Sequence, residues 1–409
     1  MQHSTQLRIL DELFEMLDAG RTVDAGQQLL NPTSAYTDPA LAAQEWQRFF
    51  REHPQLIGLS GDLPGPGSYL TLDDFGVPIL ACRDEDGRFR AFVNACRHRG
   101  TRLTEDERGE QKRFTCPFHG WTYATDGRLL GVTESEQFGA IDRNCHNLIE
   151  LPTAEQYGLL WVHPQPAASI DVDALLGGLA PEIANWHLGD RVHCGGRSLN
   201  KRMNWKLAND TFGETYHFAR LHRKTLNNIF NGEALSYETF ERNHRAVFPA
   251  RSMTRLRNKP RDKWSVNGST TVLYYLFPNI QLTVSDRQVT LFRIYPGGAD
   301  ASRSVTWMSH YFSQAALDLM ADGSKTVIDD SNIYSREARD GNAIVTPEGS
   351  MEIIDSTLEN EDYRMGETTQ QTAESGLLEH IVFGRNEAPL QHFHNTFRAA
   401  LDMPPLRSS

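Results

Sequence analysis

Two short turns constrain this chain more than any other feature. Cys96-Arg97-His98-Arg99-Gly100 is followed by Cys116-Pro117-Phe118-His119-Gly120-Trp121. They form a C-x-H and a C-x-x-H pair, each closed by a glycine, with a spacer long enough for a hairpin. Glycine closes tight turns because it adopts backbone conformations that other residues avoid, and such turns aim backbone amides at a bound centre. Structural zinc also combines Cys with His, but its usual spacings pair Cys with Cys and His with His. Here each half carries one of each.

That division suits a two-iron, two-sulfide cluster with two cysteines on one iron and two histidines on the other. Each turn sends its Cys to one iron and its His to the other, the arrangement of a Rieske centre. The aromatic block Phe118/Trp121/Tyr123 around the second turn supports this over four scattered core residues. The expected cluster ligands are therefore Cys96, His98, Cys116 and His119.

At 409 residues the chain exceeds one typical domain, so two are expected. Its formal net charge of −12 argues against nucleic acid and anionic membrane as partners. The opening MQHSTQLRIL lacks the cationic-then-apolar arrangement of a secretory signal, and no apolar run is long enough to span a bilayer. The expectation is a cytoplasmic, soluble protein. The remaining cysteines, Cys82, Cys145 and Cys194, show no disulfide framework.

The pattern divides the chain into an N-terminal helical segment (1–45) packed on the body, a small antiparallel β domain (46–166) and a larger α+β domain (167–409). Residues 5–19 carry apolar positions at helical spacing and stop at Gly20. A second helix is expected over 38–53, capped by Asp38 with Pro39 in its first turn. Asp86-Gly87 and Asp126-Gly127 mark turns between alternating runs, and the β domain should end with a strand at Leu159–Val162. Residues 269–313 alternate strongly and predict three strands, broken at Phe277-Pro278-Asn279, Ser285-Asp286 and Gly297–Asp300, with one apolar face able to line a pocket. Helical patterns follow over 314–323, 350–376 and 387–402, so the domain reads helix, sheet, helix.

The second informative block runs from Asn204 to His222. His217 and His222 would stand about 140° apart on an ideal helix, so a shared metal requires the helix to distort or end near them. Glu214 and Asp210 precede His217 at intervals of about one turn and are expected to orient the histidines. Two histidines with one carboxylate leave positions open for O₂ and substrate in non-haem Fe(II) oxygenases. The carboxylate candidates are Glu352, Asp355, Glu359, Glu361, Asp362 and Glu367, and composition does not choose among them.

With these pieces in order, the sequence resembles the large (alpha) subunit of Rieske non-haem iron oxygenases, the aromatic-ring-hydroxylating dioxygenase family. RAFVNACRHRG and CPFHGWTYATDGRL resemble its cluster loops, NWKLANDTFGETYHFARLH its iron-binding block and YYLFPNIQL with VTLFRIYPGG its pocket sheet. NEDYRMGETTQQ resembles the carboxylate segment and LQHFHNTF the closing helix. The resemblance implies a Rieske [2Fe–2S] domain and a helix-grip catalytic domain. It implies mononuclear Fe(II) on His217, His222 and Asp362, with Glu214 bridging to a neighbouring subunit's cluster. It also implies a head-to-tail homotrimer, with or without a small beta subunit, fed by an NAD(P)H-dependent reductase with or without a ferredoxin. Asp210-Thr211 stands where the family often has Glu-Asn. The implied reaction is oxygenation of a small organic, aromatic substrate with O₂. The competing readings are a Rieske monooxygenase or demethylase acting on a quaternary amine, and an electron-transfer Rieske protein with a ligand-binding domain.

Overall fold

The computed structural model describes residues 1–321 and 346–409. They form two compact units, Met1–Gln44 with Asp173–His187 and Arg191–Ser409, and Glu45–Val172 with Leu188–Asp190. The N-terminal segment belongs to the larger unit. The smaller unit runs six residues past Pro166, because the irregular stretch after strand Leu159–Val162 stays with it.

Among the described residues the smaller unit holds three antiparallel sheets. In the five-stranded sheet, Ile79–Arg83 pairs with Phe89–Val93 across Asp86-Gly87, where Gly87 takes a φ of 77°. The second turn signal, Asp126-Gly127, links Thr122–Ala124 to Leu129–Gly131. Strand Arg113–Thr115 pairs with Thr122–Ala124, so Cys116–Trp121 forms the tip of that hairpin. The core beneath joins Cys96 and Cys116 to Tyr69, Phe114, Trp121 and Tyr123.

The larger unit is built on a seven-stranded antiparallel sheet. Its strands are β1 (Arg191–Lys201), β2 (Ser236–Phe240), β3 (Asn243–Pro249), β4 (Thr270–Leu276), β5 (Ile280–Val284), β6 (Gln288–Gly297) and β7 (Asp300–Ser313). The order is β1-β7-β6-β5-β4-β3-β2. The three sequence breaks in 269–313 separate four strands, not three, because the Phe277–Asn279 turn lets β5 pair with β4 as well as with β6.

Helix α1 (His3–Ala19) buries Ile9, Leu10 and Leu13 and ends at Gly20, whose φ of 58° is the left-handed conformation that stops a helix. Asp38 caps the next helix by accepting from the Ala40 and Leu41 amides. That helix is α-helical only over Pro39–Glu45 and then widens to a π-helical turn over Trp46–Arg51. Helix α2 (Trp205–Asp210) packs on β6 and β7. The C-terminal helices are α3 (Pro347–Thr357), α4 (Tyr363–Glu374) and α5 (Ala388–Ala400), with a π-helical turn at Leu358–Asp362 joining α3 to α4. The helix expected over 314–323 spans Gln314–Ala321, and its last two residues lie outside the described residues. No described helix is long and apolar enough to cross a membrane.

Candidate metal centres and cavity

In the smaller unit the two turns are near copies. Cys96 N–H donates to the Thr101 carbonyl at 2.8 Å, and Gly100 N–H returns to the Cys96 carbonyl at 2.8 Å. In the second, Cys116 N–H donates to Trp121 at 2.8 Å and Gly120 N–H to Cys116 at 3.0 Å. Both glycines are left-handed, with φ of 78° and 73°, so a side chain at either would strain the turn. A Cβ on Gly120 would also meet Thr133 Oγ1 at 2.5 Å.

This geometry buries both cysteines and leaves both histidines half-exposed at the rim. The His98 and His119 rings lie 4.6 Å apart, and Trp121 stacks on His98 at 5.1 Å. Among the described residues His98 Nδ1 is buried without a hydrogen-bond partner, as a ring nitrogen reserved for a metal would be. Burial, aided by the His119 and Arg99 charges, holds the His98 pKa below its usual value and so favours the neutral, ligating form. Tyr123 Oη accepts from Arg97 N–H at 2.9 Å and lies 3.4 Å from Cys96 Sγ. Two buried sulfurs and two facing imidazoles, one with an orphaned nitrogen, fit a [2Fe–2S] centre.

In the larger unit α2 ends at Asp210, before either iron-block histidine, and the chain continues in tight turns. His217 and His222 are therefore not on a helix, and their 140° offset never arises. Arg220 and Leu221 amides return to the His217 carbonyl, folding the segment back on itself. His217 Nε2 and His222 Nε2 approach to 3.0 Å. Asp362 Oδ1, from the π-helical turn, lies 3.1 Å from His222 Nε2 and 3.4 Å from His217 Nε2. Three donor atoms thus converge on one point. Their ligand atoms all lie within 4.8 Å of one another, a group able to hold a metal ion.

The far side of each histidine is fixed by a carboxylate. Glu214 accepts from His217 Nδ1 and also from the His217 backbone amide at 3.0 Å. Glu361 takes His222 Nδ1 at 2.8 Å and the Thr225 hydroxyl at 2.9 Å. A carboxylate on Nδ1 puts the proton there and frees Nε2 to ligate, the usual support behind a metal-bound histidine. Burial alone would lower the His217 pKa, but hydrogen bonds to Asp362 and Glu214 outweigh it and push it up to about 9. Burial likewise opposes ionisation of Asp362, and the two histidines overcome it to hold its pKa low. An inward-pointing two-histidine, one-carboxylate set fits a divalent iron.

Of the six carboxylate candidates the structure brings Asp362 to the histidine nitrogens and Glu361 behind His222. Asp355 instead bonds His310 at 2.9 Å, and Glu359 bonds Arg197. Asp210 departs from expectation. It does not continue a stripe into His217, because α2 ends there and turns its carboxylate to Tyr36 Oη at 2.7 Å and His394 Nε2 at 2.8 Å. Sequence reasoning assigned the orienting role to Glu214 and Asp210; only Glu214 reaches a histidine, and Glu361, weighed from sequence as a ligand candidate, stands behind His222 instead. The Glu361-Asp362 pair was the available signal.

A cavity of about 490 Å³ opens beside these ligands. Its apolar wall holds Phe212, Phe218, Phe230, Phe248, Leu273 and Phe292. Phe212 and Phe218 of the iron-binding block line it, whereas Tyr274, Tyr275 and Phe277 are buried outside its lining and Tyr216 is 74 % exposed.

Residues 183–403 match the family model for the ring-hydroxylating alpha subunit (catalytic domain), and residues 53–151 match that of the Rieske [2Fe–2S] domain. The chain belongs to the ring-hydroxylating alpha-subunit family, with an N-terminal Rieske domain ahead of the catalytic domain. It is 32 % identical over 202 residues to the glycine betaine monooxygenase oxygenase subunit of Chromohalobacter salexigens, covering 48 % of this chain and 44 % of that protein. It is 34 % identical over 195 residues to chlorobenzene dioxygenase subunit alpha of Cupriavidus sp., covering 45 % and 42 %. The chain thus spans less than half the length of these curated relatives. The fold is similar to that of a quaternary ammonium Rieske monooxygenase in complex with L-carnitine, at a TM-score of 0.71, 18 % identity and coverage of 92 % and 96 %. It is also similar to naphthalene 1,2-dioxygenase from Rhodococcus sp., at 0.69, 17 % identity and 97 % of each chain.

Proposed function

We propose that this chain is the oxygenase component of a cytoplasmic Rieske non-haem iron system, inserting oxygen from O₂ into an organic, aromatic substrate. The observation that carries the reading is the convergence of His217 Nε2, His222 Nε2 and Asp362 Oδ1, each histidine braced by its own carboxylate. An electron-transfer protein with a ligand-binding domain has no use for such a set beside a cavity.

In this reading Cys96, Cys116, His98 and His119 hold a [2Fe–2S] cluster in residues 46–166, and His217, His222 and Asp362 hold iron in residues 167–409. The cluster supplies one-electron reduction and the iron supplies oxygen activation. The rest is the chain's own work. Glu214 and Glu361 hold the Nδ1 protons and so fix which nitrogen faces the metal. The phenylalanine wall binds the substrate's carbon skeleton and excludes water. Glu214, bonded to His217, is the link to the cluster loop of a neighbouring subunit in a homotrimer, with or without a small beta subunit. Electrons come from a separate NAD(P)H-dependent reductase, directly or through a ferredoxin. Quaternary-amine demethylation uses the same ligands, and the phenylalanines flanking the site could face a cation, so both substrate classes belong in the assay.

The test is metal content and turnover together. Three irons per chain and loss of product in His217→Ala and His222→Ala, with the cluster spectrum intact, are the expected results. Two irons per chain, or product retained in either variant, overturns the reading.

A further inference from the structure

The cavity is not apolar throughout. Its floor is the sheet, whose alternate residues point the same way. Across the floor the register pairs Leu273 with Thr283 and Thr283 with Thr290. One step further along β4 and β6 come Thr271 and Gln288, which also line the cavity. A sheet face that only had to hold a hydrocarbon would carry Val, Ile and Leu at these places.

Two of these side chains are prepared for a ligand. Gln288 is only 6 % exposed, and among the described residues its Nε2 has no hydrogen-bond partner. Its Oε1 is held by the Ser350 hydroxyl, which leaves the nitrogen as the free end. An unpaired buried donor is costly unless something meets it. Thr290 is 1 % exposed and is tied into a buried relay. Its hydroxyl lies 3.1 Å from His310 Nδ1, and His310 Nε2 lies 2.9 Å from Asp355 Oδ1. A carboxylate only accepts, so His310 Nε2 carries a proton. In the neutral ring Nδ1 therefore accepts the Thr290 hydroxyl hydrogen, and Thr290 Oγ1 keeps its lone pairs for the cavity. Gln288 offers a donor and Thr290 an acceptor, two residues apart on one strand face. Their backbone positions lie about 6.8 Å apart along the strand, close enough for one polar group set between the two side chains to meet both.

We infer that the substrate carries a hydroxyl, or another group that both donates and accepts hydrogen bonds, which docks between Gln288 and Thr290 while its carbon skeleton lies on the phenylalanine wall. Gln288 and Thr290 are then specificity-determining residues that select against bare hydrocarbons, with His310 and Asp355 positioning Thr290. The inference rests on the reading of this cavity as the substrate pocket.

The test is equilibrium dialysis of the intact holoprotein with an isosteric pair, 2-(hydroxymethyl)naphthalene and 2-ethylnaphthalene, which differ by OH against CH₃. The expected result is at least tenfold tighter binding of the alcohol. Gln288→Leu and Thr290→Val should each cut that ratio at least threefold while moving the hydrocarbon's affinity by less than threefold. Gln288→Met serves as the second variant if Gln288→Leu misfolds. Equal binding of the pair, preference for the hydrocarbon, failure of both to bind, or an unchanged ratio in the variants overturns the inference. Dialysis needs no turnover, so its outcome is separable from the iron count and product assay that test the oxygenase reading.

Discussion

Glu361 makes the sharpest test of how the iron site is held. Its Oε2 receives both His222 Nδ1 at 2.8 Å and Thr225 Oγ1 at 2.9 Å, and its side chain is 24 % exposed. Glu361→Gln keeps the shape and an acceptor oxygen but removes the charge. Glu361→Leu removes the acceptor as well and leaves the ring of His222, itself 1 % exposed, free to turn or to put its proton on the wrong nitrogen. Loss of such a partner costs roughly 10- to 100-fold in metal affinity, or about 1.4 to 2.7 kcal/mol. The glutamine variant belongs at the low end, because its carbonyl can still accept both hydrogens, and the leucine variant at the high end. The assay is anaerobic competition for the mononuclear iron with a chelator, followed by iron analysis. The cluster's visible spectrum is the internal control, since its ligands lie in the other unit. Wild-type affinity in both variants would refute the argument that Glu361 fixes the His222 tautomer. Equal, large losses in both would show that charge, not orientation, is what the carboxylate supplies.

Other predictions follow from the same contacts. Tyr123→Phe removes the hydroxyl beside Cys96 Sγ; hydrogen bonds to cluster sulfurs raise the potential, so one bond of about 1 kcal/mol implies a midpoint lower by roughly 40 mV in a redox titration. Arg245, 1 % exposed, pairs with Glu182 and Glu238, whose side chains are 10 % and 39 % exposed; Arg245→Ala leaves the Glu182 carboxylate without its guanidinium and should destabilise the larger unit by about 3 kcal/mol in denaturant unfolding. His392 Nε2 donates to the Glu241 carbonyl, so the 3.0 Å contact between its Nδ1 and His244 Nδ1 holds a single proton. Burial, and in His244 also the neighbouring ring, lowers both pKa values in the fold. The unfolded chain then binds more protons below the free histidine pKa of about 6.5, and stability falls as pH drops through that value. Thermal melts from pH 8 to 5 should show that loss in the wild type and a shallower one in His244→Asn.

The sequence was most legible where spacing alone does chemistry. The C-x-H and C-x-x-H turns need no distant partner to be read, because glycine closure and hairpin position are local. The α1 stop at Gly20 and the Asp38 cap are local in the same way. Legibility failed where a backbone path had to be known. Asp210 and Glu214 look equivalent on a helical wheel, but α2 stops at Asp210, and that single termination sends one carboxylate to Tyr36 and His394 and the other to His217. In 269–313 all three turns were legible in the sequence, and they separate four strands where three were expected. The polar cavity floor was invisible for a different reason. Thr271, Thr283, Gln288 and Thr290 sit on strands joined only in space, and period-two alternation cannot say which face becomes a cavity.

The π-helical turn at Leu358–Asp362 shows how these failures connect. Neighbours on an α-helix point about 100° apart, so Glu361 and Asp362 would not be expected to serve one imidazole. Here they reach opposite nitrogens of His222, Glu361 at Nδ1 and Asp362 at Nε2. The widened turn joins α3 to α4 and changes the angular step between successive side chains, and such π turns recur at functional sites. One distortion thus places the proposed ligand Asp362 and the carboxylate that braces His222 together. The same helix, seven residues earlier, delivers Asp355 to His310 beneath the cavity. The α3–α4 junction therefore couples the metal geometry to the polar end of the cavity. Restoring an ordinary α-helical turn by deleting one residue from 358–360 should turn Asp362 off the histidines and release mononuclear iron while the cluster spectrum stays intact. Iron retained at wild-type affinity in that deletion would mean that the turn is incidental and that the ligands find the metal by loop flexibility instead.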